Sequence, residues 1–583
     1  MTQEFDQAVA LARQGRLPEA EGLFAAAAAA DPHNFAAHRM TALVRYQQGK
    51  LAPALEAIDA ATAASPDTAE PWVLRGVILH RLGRGDDAVA SLTRATDLDS
   101  RDAQAWYNRG IILGELGRFE DALASYDHAL AIQEAPDLWA NRAGALLNLK
   151  RAEEAVDSCN KALAAAPGYI PALCNRGMAY ADLKRFSESV ADLDQALAQA
   201  PGMVEAWINR GTVLHELGLF AEALASYDRA LQLQATNRSA WVNRGDALVG
   251  LKRYAEALQN FERALELAPG PAAFVKRAAT LHTLGRLSEA LKAADEGLRM
   301  SADYSPAFEI RGRILLEMDR LEEGLESLRR SGGPLHEETD FQRRHDEEQR
   351  AYLAADGRAF SGERLAGPAI NPANAAKVAH DWAARAPKIV VIDDLLTPEG
   401  LDALRRFCWG TPMWKRPYPG GYLGALPQYG FAVPLLAQIA DELRTTFPTV
   451  IADHALRLLW GFKYDSTMKG ITVHADQAAV NVNFWLTPDA ANLDPDRGGL
   501  VVWNVCAPPD WDAEVYNRDE DRIRAFLKEA GATAVTVPYR ANRAVIFDSD
   551  LFHETDSFRF KEGYLNRRIN LTMLYGRRNS YGT

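Results

Sequence analysis

The N-terminal half of the chain repeats a pattern every 34 residues or so, and this period restricts the fold more than any other feature. Three aligned segments begin at Ala105, Ala206 and Ala240, and the first reads AWYNRGIILGELGRFEDALASYDHAL. The tryptophans of the pattern fall 34, 33, 68 and 34 residues apart, at Trp72, Trp106, Trp139, Trp207 and Trp241. A small residue follows 16 positions after the tryptophan in each aligned segment, at Ala122, Ala223 and Ala257. The pattern predicts two helices per unit that are joined by a short turn and pack closely.

The repeated unit resembles the tetratricopeptide repeat. About ten units fit between the N-terminus and residue 331. One helical pair cannot bury its apolar face alone, so we expect the units to stack into a superhelix. The resemblance implies a long concave surface of the kind that usually holds a polypeptide.

An asparagine stands two positions after the large residue of the first helix in five units, at Asn108, Asn141, Asn175, Asn209 and Asn243. An amide both donates and accepts hydrogen bonds, so a row of them can pair with a peptide backbone of any sequence. The row resembles the asparagine ladder of O-GlcNAc transferase, which implies peptide binding. The alternative is a mere repeat consensus. We expect the arginines that follow to be structural, with anion binding as the alternative: Arg109, Arg142, Arg176, Arg210 and Arg244.

The repeat pattern stops at residue 332, and a second kind of sequence begins near residue 388. Residues 332–387 are turn-rich around one charged helical stretch, so we predict a connector. The region 388–583 contains short β-branched runs separated by turns, which favours a barrel or jelly roll. We predict strands at 457–464, 471–476, 480–486, 498–504, 533–539, 543–549 and 568–576, with a helical insert at 511–531.

Two metal-capable side chains share one face of the predicted strand ITVHADQ. His474 and Asp476 are two residues apart, and side chains alternate along a strand. A later histidine, His553, lies in FDSDLFHETDSF. Two histidines and one carboxylate form the facial triad that holds Fe(II) and leaves coordination positions open. We therefore predict that these three side chains converge on one metal ion.

The C-terminal region resembles the Fe(II)- and 2-oxoglutarate-dependent oxygenases, in particular their prolyl-hydroxylase-like branch. Arg568 opens the last predicted strand, where that branch has a basic residue for the distal carboxylate of 2-oxoglutarate. Arg567 remains the alternative, since a register slip of one residue would exchange the two. The resemblance also implies co-substrate contacts from Tyr464, Asn483 and Thr572. The number of residues between His553 and Arg568 is larger than is usual in the branch.

The resemblance implies a fold class, a reaction and cofactors. The fold is a multidomain α + β chain, in which an all-α repeat superhelix precedes a double-stranded β-helix, or jelly roll, with flanking helices. The reaction is a dioxygenase hydroxylation that uses Fe(II), 2-oxoglutarate and dioxygen. The repeats favour a protein or peptide substrate. A small-molecule oxygenase with docking repeats and a non-catalytic repeat scaffold remain alternatives.

Composition narrows the partners and the compartment. The net charge is −13, which argues against general binding to nucleic acids or anionic membranes. Four scattered cysteines form neither a metal motif nor a disulfide framework, and no signal peptide is recognisable. We expect a cytoplasmic protein of undetermined oligomeric state.

Overall fold

The computed structural model describes residues 3–333, 336–356, 361–418, 421–466 and 470–578. The chain divides into two compact units, Met1–Asn260 and Phe261–Thr583. The predicted domain boundary after residue 331 lies inside the second unit, so the last two helical pairs of the repeat region belong with the strands. No helix in the described part of the chain combines the length and the apolar character needed to cross a membrane.

The first unit consists of helices in which each odd-numbered helix packs against the next one along the chain. These helices are α1 (Gln3–Arg13), α2 (Leu17–Ala30), α3 (Phe35–Gln47), α4 (Leu51–Ala64), α5 (Ala69–Arg81), α6 (Gly85–Leu98), α7 (Ala103–Glu115), α8 (Phe119–Ile132), α9 (Pro136–Asn148), α10 (Ala152–Ala165), α11 (Ile170–Asp182), α12 (Phe186–Gln199), α13 (Val204–Glu216), α14 (Phe220–Leu233), α15 (Arg238–Gly250) and α16 (Tyr254–Leu267). The unit boundary falls inside α16. The predicted two-helix repeat is therefore confirmed.

Small residues bring the two helices of each pair together, as the 16-residue spacing predicts. Ala122 and Ala223 are completely buried. A Cβ on Gly110 would lie 2.5 Å from the ring of Tyr126, 16 residues later in the chain. Any larger side chain at this glycine would push the two helices apart, because protein interiors are close-packed.

The arginine column is structural, as expected. Arg210 donates to Asp194, 16 residues before it, and to Ser226, 16 residues after it, at 2.6 and 2.8 Å. Arg142 makes the equivalent bonds to Asp127 and Ser158. Each arginine therefore joins its own second helix to that of the preceding repeat.

The second unit continues the helical pairs and then adds strands. Its helices are α17 (Pro271–Thr283), α18 (Leu287–Met300), α19 (Ser305–Glu317), α20 (Leu321–Ser331), α21 (Asp340–Asp356), α22 (Ala375–Ala384), α23 (Pro398–Gly410), α24 (Pro434–Thr446), α25 (Pro448–Ile451), α26 (Ala513–Arg518) and α27 (Glu520–Glu529). Its strands are β1 (Ile389–Ile392), β2 (Trp414–Tyr418), β3 (Tyr422–Ala425), β4 (Leu456–Tyr464), β5 (Val480–Trp485), β6 (Leu500–Cys506), β7 (Ala534–Val537), β8 (Ala544–Asp548), β9 (Leu551–Thr555) and β10 (Ile569–Tyr575).

The strands form two antiparallel sheets around a shared core. The larger sheet has the order β1-β8-β5-β10-β4-β3-β2, and the smaller one has the order β7-β6-β9. Between them, Tyr464 and Trp485 of the larger sheet pack in one cluster with Val502 and Leu551 of the smaller sheet. The other face of the larger sheet packs on helices, including Leu316 of α19. The strand-rich, antiparallel character predicted for this region is confirmed.

The structure adds one hairpin to the predicted strands, and one predicted strand is wrong. No strand is predicted over residues 411–431, where the hairpin β2–β3 pairs with β4. The predicted strand 471–476 is reduced to a single bridge between His474 and His553. The next two amides leave the ladder, because Ala475 donates to Tyr516 and Asp476 donates to Ser549.

Candidate metal centre

Three side chains from two distant segments meet at the base of a cavity, as predicted. The potential ligand atoms of His474, Asp476 and His553 all lie within 4.8 Å of one another. The closest pair is His553 Nε2 and Asp476 Oδ2, at 3.4 Å. Asp476 and His553 are buried, whereas His474 is partly open to the cavity. Such a group could hold one metal ion through two imidazoles and one carboxylate.

The backbone fixes the two segments against each other. The amide of His474 donates to the carbonyl of His553 at 3.0 Å, and the reverse bond measures 2.8 Å. The two imidazole rings consequently lie with centroids 4.4 Å apart. This pair of backbone hydrogen bonds takes the place of a full strand. It is sufficient to hold both imidazoles on the same side of the bridge.

Both histidines direct the same nitrogen at the site. Nδ1 of His474 lies 2.7 Å from the carbonyl of Thr472, and Nδ1 of His553 lies 3.0 Å from the carbonyl of Leu551. A carbonyl can only accept, so each Nδ1 carries a proton and each Nε2 faces the site. Burial is the main cause that lowers the pKa of His474 to about 4, which keeps its imidazole neutral.

Asp476 is held as a carboxylate. Burial opposes its ionisation, but the imidazole of His553 and a hydrogen bond from Asn481 outweigh this effect and lower the pKa of Asp476. Asn481 Nδ2 donates to Asp476 Oδ2 at 2.7 Å. The bond occupies one carboxylate oxygen and orients the other, which is the usual task of a residue behind a metal ligand.

A buried cation lies deeper between the two sheets. Arg568 is 1% exposed and donates to the carbonyls of Gly498 and Gly499, at 2.8 and 3.2 Å. Its Nη1 forms no hydrogen bond of good geometry with the described residues, and the hydroxyl of Tyr464 faces the guanidinium and Thr555. The guanidinium stacks 4.8 Å over the Tyr464 ring, and no described carboxylate pairs with it. A buried cation with a free donor calls for an anion.

The glycine pair that supports Arg568 is required by space. A Cβ on Gly499 would lie 1.8 Å from the carbonyl oxygen of Val537, and Gly498 has a φ of +87°. The two carbonyls that hold the guanidinium are therefore available only with glycine at both positions.

Arg567 takes the opposite direction. It pairs with Glu348 of α21 at 2.8 Å and with Asp465 at 2.9 Å. The alternation along the last strand thus gives Arg568 to the space between the sheets and Arg567 to the helical side. Of the two arginines left open by the sequence, Arg568 is the one that packs on the aromatic rings between the sheets.

The other predicted co-substrate residues line the same face of the larger sheet. Asn483 Nδ2 donates to Thr572 Oγ1 at 3.0 Å, and both side chains line the cavity above the triad. Register pairs Thr572 with Asn483 on one side and with Trp460 on the other. Tyr464 lies at the end of β4, against Arg568. The structure thus places His474, Asp476, His553, Asn483 and Thr572 around one cavity, and it places Tyr464 and Arg568 in contact with each other.

The asparagine column of the repeats lies on half-buried positions of the first helices. Asn141 donates to the hydroxyl of Tyr107 at 3.1 Å, and Asn175 donates to the carbonyl of Ala140 at 2.9 Å. These two amides are thus partly engaged by the preceding repeat. Asn209 forms no side-chain hydrogen bond with the described residues.

Sequence reasoning missed one wall of the cavity. The cavity has a volume of about 670 Å³ and is lined by α19 and the β2–β3 hairpin as well as by the triad. Glu309 and Arg313 come from α19, and Arg416 and Tyr418 come from the hairpin. No spacing in the sequence connects these residues with His474, since more than 150 positions separate α19 from it.

Comparison with known proteins identifies the repeats. One tetratricopeptide-repeat profile matches residues 5–69, 40–97, 73–136, 111–170 and 174–240, and a second matches residues 239–271. Residues 5–271 contain tetratricopeptide repeats. The pairs α17–α18 and α19–α20 continue the same helical geometry almost wholly beyond these matches. No curated protein matches the chain.

Solved structures of repeat proteins are similar to part of the chain. A tetratricopeptide-repeat protein described as having an unusual peptide-binding site, YrrB, is 23% identical; the match covers 32% of this chain and 96% of that protein, with a TM-score of 0.28. A tetratricopeptide-repeat protein of Parabacteroides merdae is 19% identical over 42% of this chain and 98% of its own, with a TM-score of 0.38. A thermophilic repeat protein of Thermus thermophilus is 26% identical over 31% of this chain and all of its own, with a TM-score of 0.28.

Proposed function

We propose that the protein is an Fe(II)- and 2-oxoglutarate-dependent dioxygenase that hydroxylates a protein or peptide. The observation that carries this proposal is the convergence of His474, Asp476 and His553 in one cavity. The buried guanidinium of Arg568, held between the two sheets, is consistent with it. Two imidazoles and a carboxylate suit a ferrous ion, and the buried cation suits a dicarboxylate whose far end enters between the sheets.

The order of the strands supports a double-stranded β-helix. Four strands of the larger sheet run β8-β5-β10-β4, and the smaller sheet runs β7-β6-β9. The bridge at His474 adds a fourth segment to the smaller sheet, next to β9. Two facing sheets of four antiparallel segments are the architecture of a jelly roll. This arrangement also explains why ligands distant in sequence meet at one end of the barrel.

Separate residues of this chain would hold the iron and the co-substrate. His474, Asp476 and His553 would hold the iron on one face, and Asn481 would keep the carboxylate oriented. Iron with 2-oxoglutarate and dioxygen supplies the oxidation of an unactivated C–H bond. Arg568 and the Tyr464 hydroxyl would bind the distal carboxylate of 2-oxoglutarate.

The polar side chains above the triad would position the co-substrate. Asn483 and Thr572 bond to each other on the sheet face and line the cavity. The aromatic side chains Trp460 and Phe462 continue that face toward the entrance and would exclude water.

Removal of one ligand gives a direct test. We expect His553→Ala to weaken Fe(II) binding at least tenfold under anaerobic conditions and to abolish formation of succinate from 2-oxoglutarate. His380→Ala, at an exposed position of α22, serves as the matched control and retains both properties. Wild-type protein that binds iron but releases no succinate, with or without candidate peptides, would leave only a repeat scaffold.

We propose that the repeat array holds the polypeptide substrate through its asparagine column. Asn209 and Asn243 form no side-chain hydrogen bonds with described residues, so their amides remain available to a peptide backbone. Once a peptide substrate is found, we expect Asn209→Ala/Asn243→Ala to raise its KM and leave the unfolding temperature unchanged. Asn148→Ala is the control, because this exposed amide bonds only to its own helix at Gly144. An unchanged KM would assign the column to the repeat consensus alone.

A further inference from the structure

The last helical pair of the repeat region forms part of the cavity above the triad. Glu309, Arg313 and Leu316 of α19 line the cavity together with His474 and Asp476. All these residues belong to the second compact unit, Phe261–Thr583. A molecule that reaches the triad through this cavity therefore passes along a repeat helix.

This wall is firmly attached to the strands. Leu316, Leu325 and Leu328 belong to the same buried cluster as residues of the larger sheet. Glu317, at the end of α19, pairs with Arg457 of β4 at 3.0 Å and with Arg577 at 2.6 Å. Buried apolar contacts and a buried carboxylate between two arginines fix α19 as a rigid side of the cavity.

One arginine of the cavity lining has no carboxylate partner among the described residues. The charged lining residues outside the triad are three arginines and one glutamate: Arg313, Arg416, Arg457 and Glu309. Glu309 pairs with Arg313, and Arg457 is engaged by Glu317. Arg416 forms no ion pair with any described residue and lies 5.0 Å over the ring of Tyr418. A guanidinium held by an aromatic ring is pre-oriented for a carboxylate.

The sign of this charge stands out against the rest of the protein. The chain as a whole has a net charge of −13, which repels acidic partners from most of its surface. An uncompensated arginine in the lining of one cavity, Arg416, attracts an acidic ligand to that point. Apolar and aromatic side chains next to the arginines, including Leu426 and Trp460, provide contact area for the adjoining backbone.

We infer that the cavity accepts an acidic peptide segment, whose carboxylate side chain pairs with Arg416 on the hairpin while Arg313 on the last repeat pair adds a second contact. This inference rests on the proposed function, since it names the substrate class of the same site. Arg416 and Arg313 are specificity-determining residues in this arrangement. The repeat wall and the hairpin select the peptide before the target residue reaches the triad.

A binding experiment tests the inference without turnover. The probes are two fluorescein-labelled peptides, one rich in glutamate and one with glutamine at the same positions, and the readout is fluorescence anisotropy with the full-length protein at low ionic strength. We expect the glutamate peptide to bind at least tenfold more tightly and to lose affinity as salt is added. Equal affinities, or no binding of either peptide at millimolar concentration, would overturn the inference.

Variants locate the binding. We expect Arg416→Gln and Arg313→Gln each to reduce the affinity for the glutamate peptide several-fold. Arg329→Gln is the matched control, because this exposed arginine of α20 pairs with Glu326 and does not line the cavity. An equal loss in all three variants would mean diffuse attraction and would also overturn the inference.

The outcome remains separate from that of the proposed function. The anisotropy measurement needs neither iron nor dioxygen, whereas the proposed function is tested by succinate release. Selective acidic-peptide binding without succinate release would keep the docking site and reject the oxygenase. Succinate release without a preference for the glutamate peptide would do the reverse.

Discussion

The substitution Arg568→Gln tests the co-substrate site most directly. The guanidinium is buried, pairs with no described carboxylate and has a free Nη1. We propose that this nitrogen donates to the distal carboxylate of 2-oxoglutarate. Hydrogen bonds to charged groups contribute about 1.5–3 kcal/mol each. The loss of two bonds at the lower limit weakens binding by about 3 kcal/mol, which is on the order of 100-fold in Kd.

Ligand-dependent stability measures this loss without turnover. The free energy of unfolding is determined by denaturant titration under anaerobic conditions with Fe(II), with and without 2-oxoglutarate. At a concentration 100 times the wild-type Kd, the co-substrate stabilises the wild-type protein by about 2.7 kcal/mol. At the same concentration a variant with 100-fold weaker binding gains only about 0.4 kcal/mol, because its site is half occupied.

The neighbouring residue provides the control. Arg567→Gln removes an ion pair with Glu348 and Asp465, so it lowers the basal free energy of unfolding. It leaves the space between the sheets unchanged, and we expect the full gain of about 2.7 kcal/mol on addition of 2-oxoglutarate. A full gain in the Arg568 variant, together with a lost gain in the Arg567 variant, would refute the assignment.

Three further predictions concern the metal site, the repeats and the loss of stability at low pH. Asn481→Ala removes the bond to Asp476, so we expect Fe(II) affinity, measured by anaerobic titration, to fall about 10- to 100-fold; unchanged affinity would show that the carboxylate needs no support. Lys184 has a φ of +59° at a turn where other repeats have glycine, so Lys184→Gly should raise the free energy of unfolding by up to about 1 kcal/mol; a lower Tm would contradict the strain. Burial opposes the ionisation of Glu317, but His282, Arg577 and Arg457 lower its pKa to about 2. The stabilisation that the ionised Glu317 contributes is present above about pH 4.5 and is lost as the pH falls toward 2. We therefore expect Glu317→Gln to reduce the fall in the free energy of unfolding between these pH values by up to about 3 kcal/mol. An unchanged fall would refute the pairing.

The repeat region could be predicted almost completely from the sequence, because its contacts are local. Gly110 and Tyr126 meet because they are 16 residues apart in one helical pair, and the same spacing brings together Gly211 and Tyr227 in another. The arginine column follows the same rule, with partners 16 residues on either side of Arg210. Periodicity contains this information directly, since each helical pair contacts only its neighbours.

The metal-capable triad could be predicted only in part. The His-x-Asp pattern and the later histidine identified the three residues, but the expected strand under His474 is a single bridge. The tertiary structure also decided which of Arg567 and Arg568 lies between the sheets. The sequence could not, because a one-residue change of register exchanges the two faces of a strand. Alternation gives the two faces but does not say which one lies between the sheets.

The cavity wall depended on the tertiary structure alone. The sequence places Arg313 in a repeat helix, and it predicts no strand around Arg416. They line one cavity with His474 because α19 and the hairpin pack against the larger sheet. Contacts between residues so far apart in the chain arise from the shapes of folded surfaces, and no local pattern specifies them. The sequence by itself determined the repeats and the three metal-capable residues, whereas packing determined which residues surround those three.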